Sequence, residues 1–272
     1  MLKNSNPIFF MLLFTLLFFS SGTYAYVNVI SDDNMDKKNE SIVGLIMSEK
    51  FSLYQPNYFI IGLNDLKMQF SFKYRFARAI PLYLGFSQLM FWSIYDKSKP
   101  FKEINYLPEA FYRFLDKKNN TFKTLDMGYL HLSNGKKGIE SKSVDRVYLR
   151  ANYISKLNRH NLDFNLMTYY SYNIEETNKD IVEHIGYWDL KISVSNLIVY
   201  ENQNLDLELR LFAGSKLIDL NNGAYQIGLI YNFASSNMNP AIYLQIFQGY
   251  AENLLDYNQR HKEYRLGLVL SY

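Results

Sequence analysis

From residue 57 to the end, the chain alternates apolar and polar side chains with a period of two. Met68, Phe70, Phe72, Tyr74 and Phe76 interleave with Lys67, Gln69, Ser71, Lys73 and Arg75. Leu205, Leu207, Leu209 and Leu211 alternate with Asp206, Glu208 and Arg210, and Tyr225, Ile227, Leu229, Tyr231 and Phe233 alternate with smaller or polar partners. Such alternation describes strands with one apolar and one polar face, because successive side chains point to opposite sides of a sheet. About twelve runs of this kind fall near 57–64, 67–77, 81–94, 103–115, 121–133, 144–156, 160–171, 184–199, 205–213, 225–233, 240–250 and 262–272. Most are long enough for a tilted strand to cross a bilayer, which takes roughly 9–11 residues. No later stretch carries a helical apolar stripe of useful length.

Two architectures bury alternating strands: a soluble sandwich or barrel with apolar faces inward, and a membrane barrel with them outward. The N-terminus decides between them. A single charge, Lys3, precedes the apolar run Ile8 to Phe19, and small and polar residues then lead to Ala25. That arrangement reads as a secretory signal peptide, the run being too short for a stable membrane span. An even strand count, Tyr and Phe gathered toward strand ends, and Tyr264, Leu266, Leu268, Leu270 and Tyr272 on one face of the last strand all favour the outward-facing barrel. The expected fold is therefore all-β: one domain, a twelve-stranded antiparallel transmembrane barrel over 51–272, preceded by the signal peptide 1–25 and a polar segment 26–50.

Composition removes other classes. Mean hydropathy is −0.20, which excludes a bundle of transmembrane helices, and 17% aromatic residues exclude a disordered chain. The 29 basic and 26 acidic side chains are spread along the sequence, so nothing calls for nucleic acid as a partner. The absence of Cys fits an oxidising envelope compartment.

Alternation also assigns faces. In 144–156 the inward set is Arg146, Tyr148, Arg150 and Asn152, leaving Val147, Leu149, Ala151 and Tyr153 toward lipid with Asp145 among them. A hairpin turning around Gly138 sets His131 opposite Asp145 and puts His131, Ser133 and Asp145 on one outward face. Polar groups there are costly unless used. A serine hydroxyl needs a base, an imidazole can take its proton, and a carboxylate on the other ring nitrogen fixes the tautomer. Taken alone, the His-x-Ser pair reads more readily as interfacial polar residues at a strand end. His160, His184 and His261 lack a serine partner and read as rim or turn residues.

The stretch HLSNGKKGIESKSVDR (131–146) resembles the signature of the outer membrane phospholipase A family: His-x-Ser-Asn-Gly, Ser-x-Ser, then a polar residue and Arg. Gln88 and Trp92, KPFKEINYLPE (99–109), DIVEHIGYWDLKI (180–192) and GYAENLLDYN (249–258) resemble family segments in the family order. The resemblance implies a barrel in the bacterial outer membrane that hydrolyses phospholipid acyl esters at sn-1 and sn-2, using Ca2+ as cofactor and a homodimer as the active form. By position it makes Ser133 the nucleophile, His131 the base, Asp145 the third member where the best-known enzymes have Asn, and Gly135 the oxyanion donor. It also implies Ser141, the Lys136 carbonyl and the partner subunit's Ser98 as calcium ligands. Gln88, among Leu82, Leu84, Phe86, Met90 and Trp92 on the lipid face, marks a dimer contact, or else an isolated amide near the interface. The reading from another class is a passive channel or adhesin, with Arg75, Arg113, Arg150, Glu109, Glu208 and Arg210 plugging the lumen; an inactive family member with Asp145 as the damaging change is a third. Edman sequencing of the mature protein is expected to begin at Tyr26; a sequence beginning at Met1 overturns the leader assignment.

Overall fold

A computed structural model describes residues 50–77, 79–116, 121–157, 160–215, 218–233 and 240–270. The leader 1–25 and all of 26–49 lie outside the described residues, as does Tyr272.

The strands are β1 (Phe51–Leu53), β2 (Asn57–Gly62), β3 (Leu66–Arg75), β4 (Leu82–Trp92), β5 (Phe101–Asp116), β6 (Phe122–Ser133), β7 (Ser143–Leu157), β8 (His160–Tyr172), β9 (Trp188–Tyr200), β10 (Gln203–Phe212), β11 (Ala224–Asn232), β12 (Pro240–Gly249) and β13 (His261–Leu270). Each pairs antiparallel with its neighbour, and β13 closes onto β2, with Leu268 opposite Phe59. Short β1 pairs with β3 beyond the end of β2, so β1 and β2 form one interrupted stave and the barrel has twelve. Closure leaves no sheet edge in hydrocarbon, where an unpaired N–H or C=O has no partner.

The interruption at Tyr54–Pro56 follows from Pro56, which has no N–H to give the ladder. Side chains fill the gap. Asn57 accepts from Ser71 N at 2.7 Å and donates to Ser71 O at 3.1 Å, and Gln55 N donates to Ser71 Oγ at 3.0 Å.

The alternation read from the sequence is the alternation of the wall. Arg146, Tyr148 and Arg150 are 7%, 3% and 7% exposed, whereas Val147, Leu149 and Tyr153 between them are 41%, 49% and 44% exposed. One expected strand is shorter than read: the run at 184–199 begins at Trp188, because Val182–Ile185 form a helical turn, α1, ended by Gly186 at φ +59. Its apolar residues Ile181 and Ile185 pack with Val144, Leu254 and Tyr257 instead of facing lipid.

Six connections, 63–65, 93–100, 134–142, 173–187, 213–223 and 250–260, share one end of the barrel. The opposite end is turned by shorter links such as 201–202. Loop 250–260 dips into the lumen from the long-loop end. Glu252 there accepts from Lys67 Nζ at 2.9 Å and from Arg265 Nη1 at 2.6 Å, while Arg265 also clasps Asp65 at 2.7 and 3.0 Å. Burial pushes the Glu252 carboxyl up, and the Lys67 and Arg265 charges more than offset it, holding the group below its ordinary range.

Other inward charges pair along the inner wall, between neighbouring strands or across one strand: Arg113 with Asp126 at 2.7 Å, Arg150 with Glu109 at 2.9 Å, Lys191 with Glu208 at 2.9 Å and Arg210 with Asp189 at 2.5 Å. Tyr83 stacks on Phe111 with centroids 5.0 Å apart, giving the polar interior an aromatic floor. A cavity of about 620 Å³ lies among these groups. Breaking a buried ion cluster by removing one member typically costs about 3–5 kcal/mol. Glu252→Ala is therefore expected to lower the unfolding free energy in detergent micelles by about that amount. Glu176→Ala, which removes an exposed pair with Lys179, is expected to leave the denaturant midpoint unchanged.

Candidate active site

Strands β6 and β7 pair in the register that the sequence implied, with His131 opposite Asp145, Leu132 opposite Val144 and Ser133 opposite Ser143. His131 and Ser133, two residues apart, share the outward row of β6 with Tyr129 and Met127. Met127 is 52% exposed and inward Asp126 only 1%, which settles the face of this strand as outward for the odd numbers.

His131 Nδ1 lies 2.6 Å from Asp145 Oδ1. A carboxylate can only accept, so Nδ1 carries a proton, and in the neutral ring Nε2 then holds the lone pair. Asp145 Oδ1 also accepts from the Tyr129 hydroxyl at 2.9 Å, and Oδ2 accepts from Asn173 Nδ2 at 2.7 Å. These partners leave Asp145 buried although it belongs to the outward row. The Ser133 hydroxyl has no hydrogen-bond partner among the described residues.

Beside this pair the wall is locally open. Strand β5 pairs with β6 at Tyr106–Ser133 and again at Glu109–Leu130, and between them Pro108, which offers no N–H, stands opposite His131. An apolar ring thus adjoins the imidazole.

The loop after β6 is shaped by buried Asn134. Its Oδ1 accepts from Lys142 N at 3.0 Å and Lys136 N at 3.3 Å, its Nδ2 donates to Glu140 O at 2.8 Å, and its own N–H donates to Lys142 O at 3.1 Å. One side chain therefore closes the loop on itself. Gly135, next to it, has φ +65, a conformation in which a side chain is strained, and a Cβ there would come within 3.2 Å of the Tyr106 ring. From the other side the loop after β8 clamps the same segment: Thr177 donates to Ser141 O, and Asn178 Nδ2 to Ser143 O at 3.1 Å.

Lys136 and Ser141 both lie in the loop after β6. Lys136 Nζ donates to Lys102 O at 3.2 Å and faces buried Glu103 at 3.4 Å and Glu140 at 3.5 Å. The Ser141 N–H and carbonyl are taken by Gly138 and Thr177, and its hydroxyl has no partner among the described residues. Ser98 is exposed in the separate loop 93–100, at the same end of the barrel. Among the described residues no group of three or more His, Cys, Asp or Glu converges as a metal site. Gln88 sits half-buried on the outward row of β4, across from Phe70 and Tyr106. Of the remaining histidines, His160 Nδ1 meets Asn196 O at 2.8 Å and His184 packs against Tyr250.

Sequence reading missed Asn173 and undervalued Tyr129. Tyr129 carried the signal of sharing a face with His131; Asn173 carried none, being in a loop without period.

The Phospholipase A1 family model matches residues 46–270. The phospholipase A1 of Escherichia coli K12 is 27% identical over 218 residues, covering 73% of this chain and 69% of its own length, and that of Proteus vulgaris is 26% identical over 217 residues with the same coverage. Among solved structures, the Salmonella typhi outer membrane phospholipase dimer with bound calcium superposes with a TM-score of 0.68 at 24% identity, covering 83% of this chain and 94% of that one. The Escherichia coli outer membrane phospholipase A gives 0.67 at 24%, covering 81% and 98%. These superpositions bear on the fold; the sequence match spans the closed wall and both strands that carry His131, Ser133 and Asp145. On that match, the chain belongs to the Phospholipase A1 family of outer-membrane β-barrel enzymes.

Proposed function

We propose that this chain hydrolyses the acyl esters of phospholipids in the outer leaflet, at sn-1 and sn-2, with Ser133 as nucleophile, His131 as base and Asp145 as the group that orients it. The observation that carries this reading is the 2.6 Å His131–Asp145 pair on the outward row of the wall, with Ser133 two residues along the same row.

The chemistry follows from that geometry. His131 Nε2 takes the Ser133 proton as Oγ attacks the ester carbonyl carbon. Negative charge gathers on the carbonyl oxygen, where the Gly135 N–H, presented by the Asn134-braced loop, donates to it. The imidazolium then returns its proton to the leaving glycerol oxygen, the C–O bond breaks, and a lysophospholipid departs. Water, deprotonated by the same Nε2, attacks the acyl-Ser133 carbonyl and releases a fatty acid while Ser133 recovers its proton. Asp145 stabilises the imidazolium formed in both halves.

The donors near the site suit a hard cation: the Ser141 hydroxyl and the Lys136 carbonyl are neutral oxygens of one rigid loop. They fall short of the six to eight oxygens calcium takes, which fits a site completed by Ser98 of the partner subunit and by solvent. When bound there, calcium supplies a positive field beside the developing oxyanion. The homodimer would form through the outward face of β4, where Gln88 gains most by bonding to its symmetry mate across an otherwise apolar surface.

Fatty-acid release from mixed phospholipid–detergent micelles is expected to need calcium and to fall at least about a thousandfold in Ser133→Ala. Release that survives chelator and the Ser133 change overturns the assignment. Gln88→Ala is expected to reduce calcium-dependent crosslinking and activity together; unchanged crosslinking removes Gln88 from the interface.

A further inference from the structure

We propose that Tyr129 and Asn173 are positioning residues of this reaction: by donating to the two oxygens of Asp145 they hold that carboxylate against His131 and so fix the imidazole as a base. The inference rests on the Ser133–His131–Asp145 reading above.

Asp145 lies in a row whose next members, Val147 and Leu149, face hydrocarbon, yet it is only 5% exposed. Its one ionic contact among the described residues is His131, which carries charge only when both ring nitrogens are protonated. For the rest of the cycle the carboxylate depends on neutral donors. Two are supplied. The Tyr129 hydroxyl reaches Oδ1 at 2.9 Å from the residue two before His131, and Asn173 Nδ2 reaches Oδ2 at 2.7 Å from the far side. Asn173 stands directly after Tyr172, the β8 partner of Asp145, with φ +47, which asparagine tolerates better than most residues.

Three donors converge on two oxygens, so every contact that Asp145 makes is one in which it accepts. Tyr129→Phe and Asn173→Ala each remove one of these donors and leave the carboxylate with fewer partners beside hydrocarbon. Asn173→Asp sets two carboxylates against each other.

The test measures kcat and KM for fatty-acid release from phosphatidylcholine in detergent micelles with calcium, using refolded full-length protein. Tyr129→Phe, which keeps the ring, and Asn173→Ala are each expected to lower kcat about tenfold while KM stays within about twofold. Asn173→Asp is expected to cost at least about tenfold in kcat. The proposal is overturned if Tyr129→Phe and Asn173→Ala retain kcat within twofold of wild type, or if they raise KM and leave kcat unchanged. Ser133→Ala separates the two levels. If it abolishes release while these outcomes fail, only the positioning role falls; if release persists in it, the triad reading falls and this inference with it.

Discussion

Hydrocarbon offers no partner to a backbone N–H or C=O, and everything else in this chain follows from meeting that demand. Closure of β13 onto β2 meets it for the wall as a whole. Where a proline breaks the ladder, side chains or position take over: Asn57 and Gln55 bridge to Ser71 beside Pro56, and Pro108 leaves its gap next to His131, near the rim. Once the wall is closed, the period of two dictates the rest. Odd positions of β6 and β7 meet lipid, even positions meet the lumen, and a polar residue in the lipid row stands out as an exception requiring a cause.

The lumen shows the complementary constraint. Charges drawn inside a narrow barrel have little water, so they are arranged in pairs and clusters, of which Asp65, Lys67, Glu252 and Arg265 form the largest near the long-loop end. This cluster ties strands on either side of the closure seam to loop 250–260, which in turn packs against α1 and β7 through Leu254, Tyr257 and Val144. The segment bearing Ser143 and Asp145 is thus backed by packed interior as well as by its neighbours in the sheet.

Much of this was legible in the sequence, and the reason is locality. Strand alternation is written residue by residue, so the wall, its two faces and the His131–Asp145 pairing could be read from parity and one turn at Gly138. The lumen pairs of Arg113, Arg150, Glu109, Glu208 and Arg210 were legible as a set because inward charges in a closed barrel must find partners, although which partner each takes was not. What stayed hidden depends on loops. The run read from 184 overlaps the end of helix α1, whose Ile185, with Ile181 before it, packs against Leu254 and Tyr257 of a distant loop that no local pattern announces. Asn173 reaches Asp145 from 28 positions away, through a backbone conformation that no pattern announces. Asn134 braces its own loop with bonds that repeat no period.

The outward placement of His131 and Ser133 changes what concentration means for the reaction proposed. A nucleophile on the outside of the wall meets its substrate by lateral sliding within a sheet of lipid, a two-dimensional encounter in which partners start already oriented head-up and tail-down. The quantity that governs saturation is then the mole fraction of cleavable lipid in the surrounding surface, and diluting the suspension leaves it unchanged. Adding an inert amphiphile lowers it. The protein's working environment is for this reason also its substrate reservoir, and each turnover alters the solvent in which the barrel itself is dissolved.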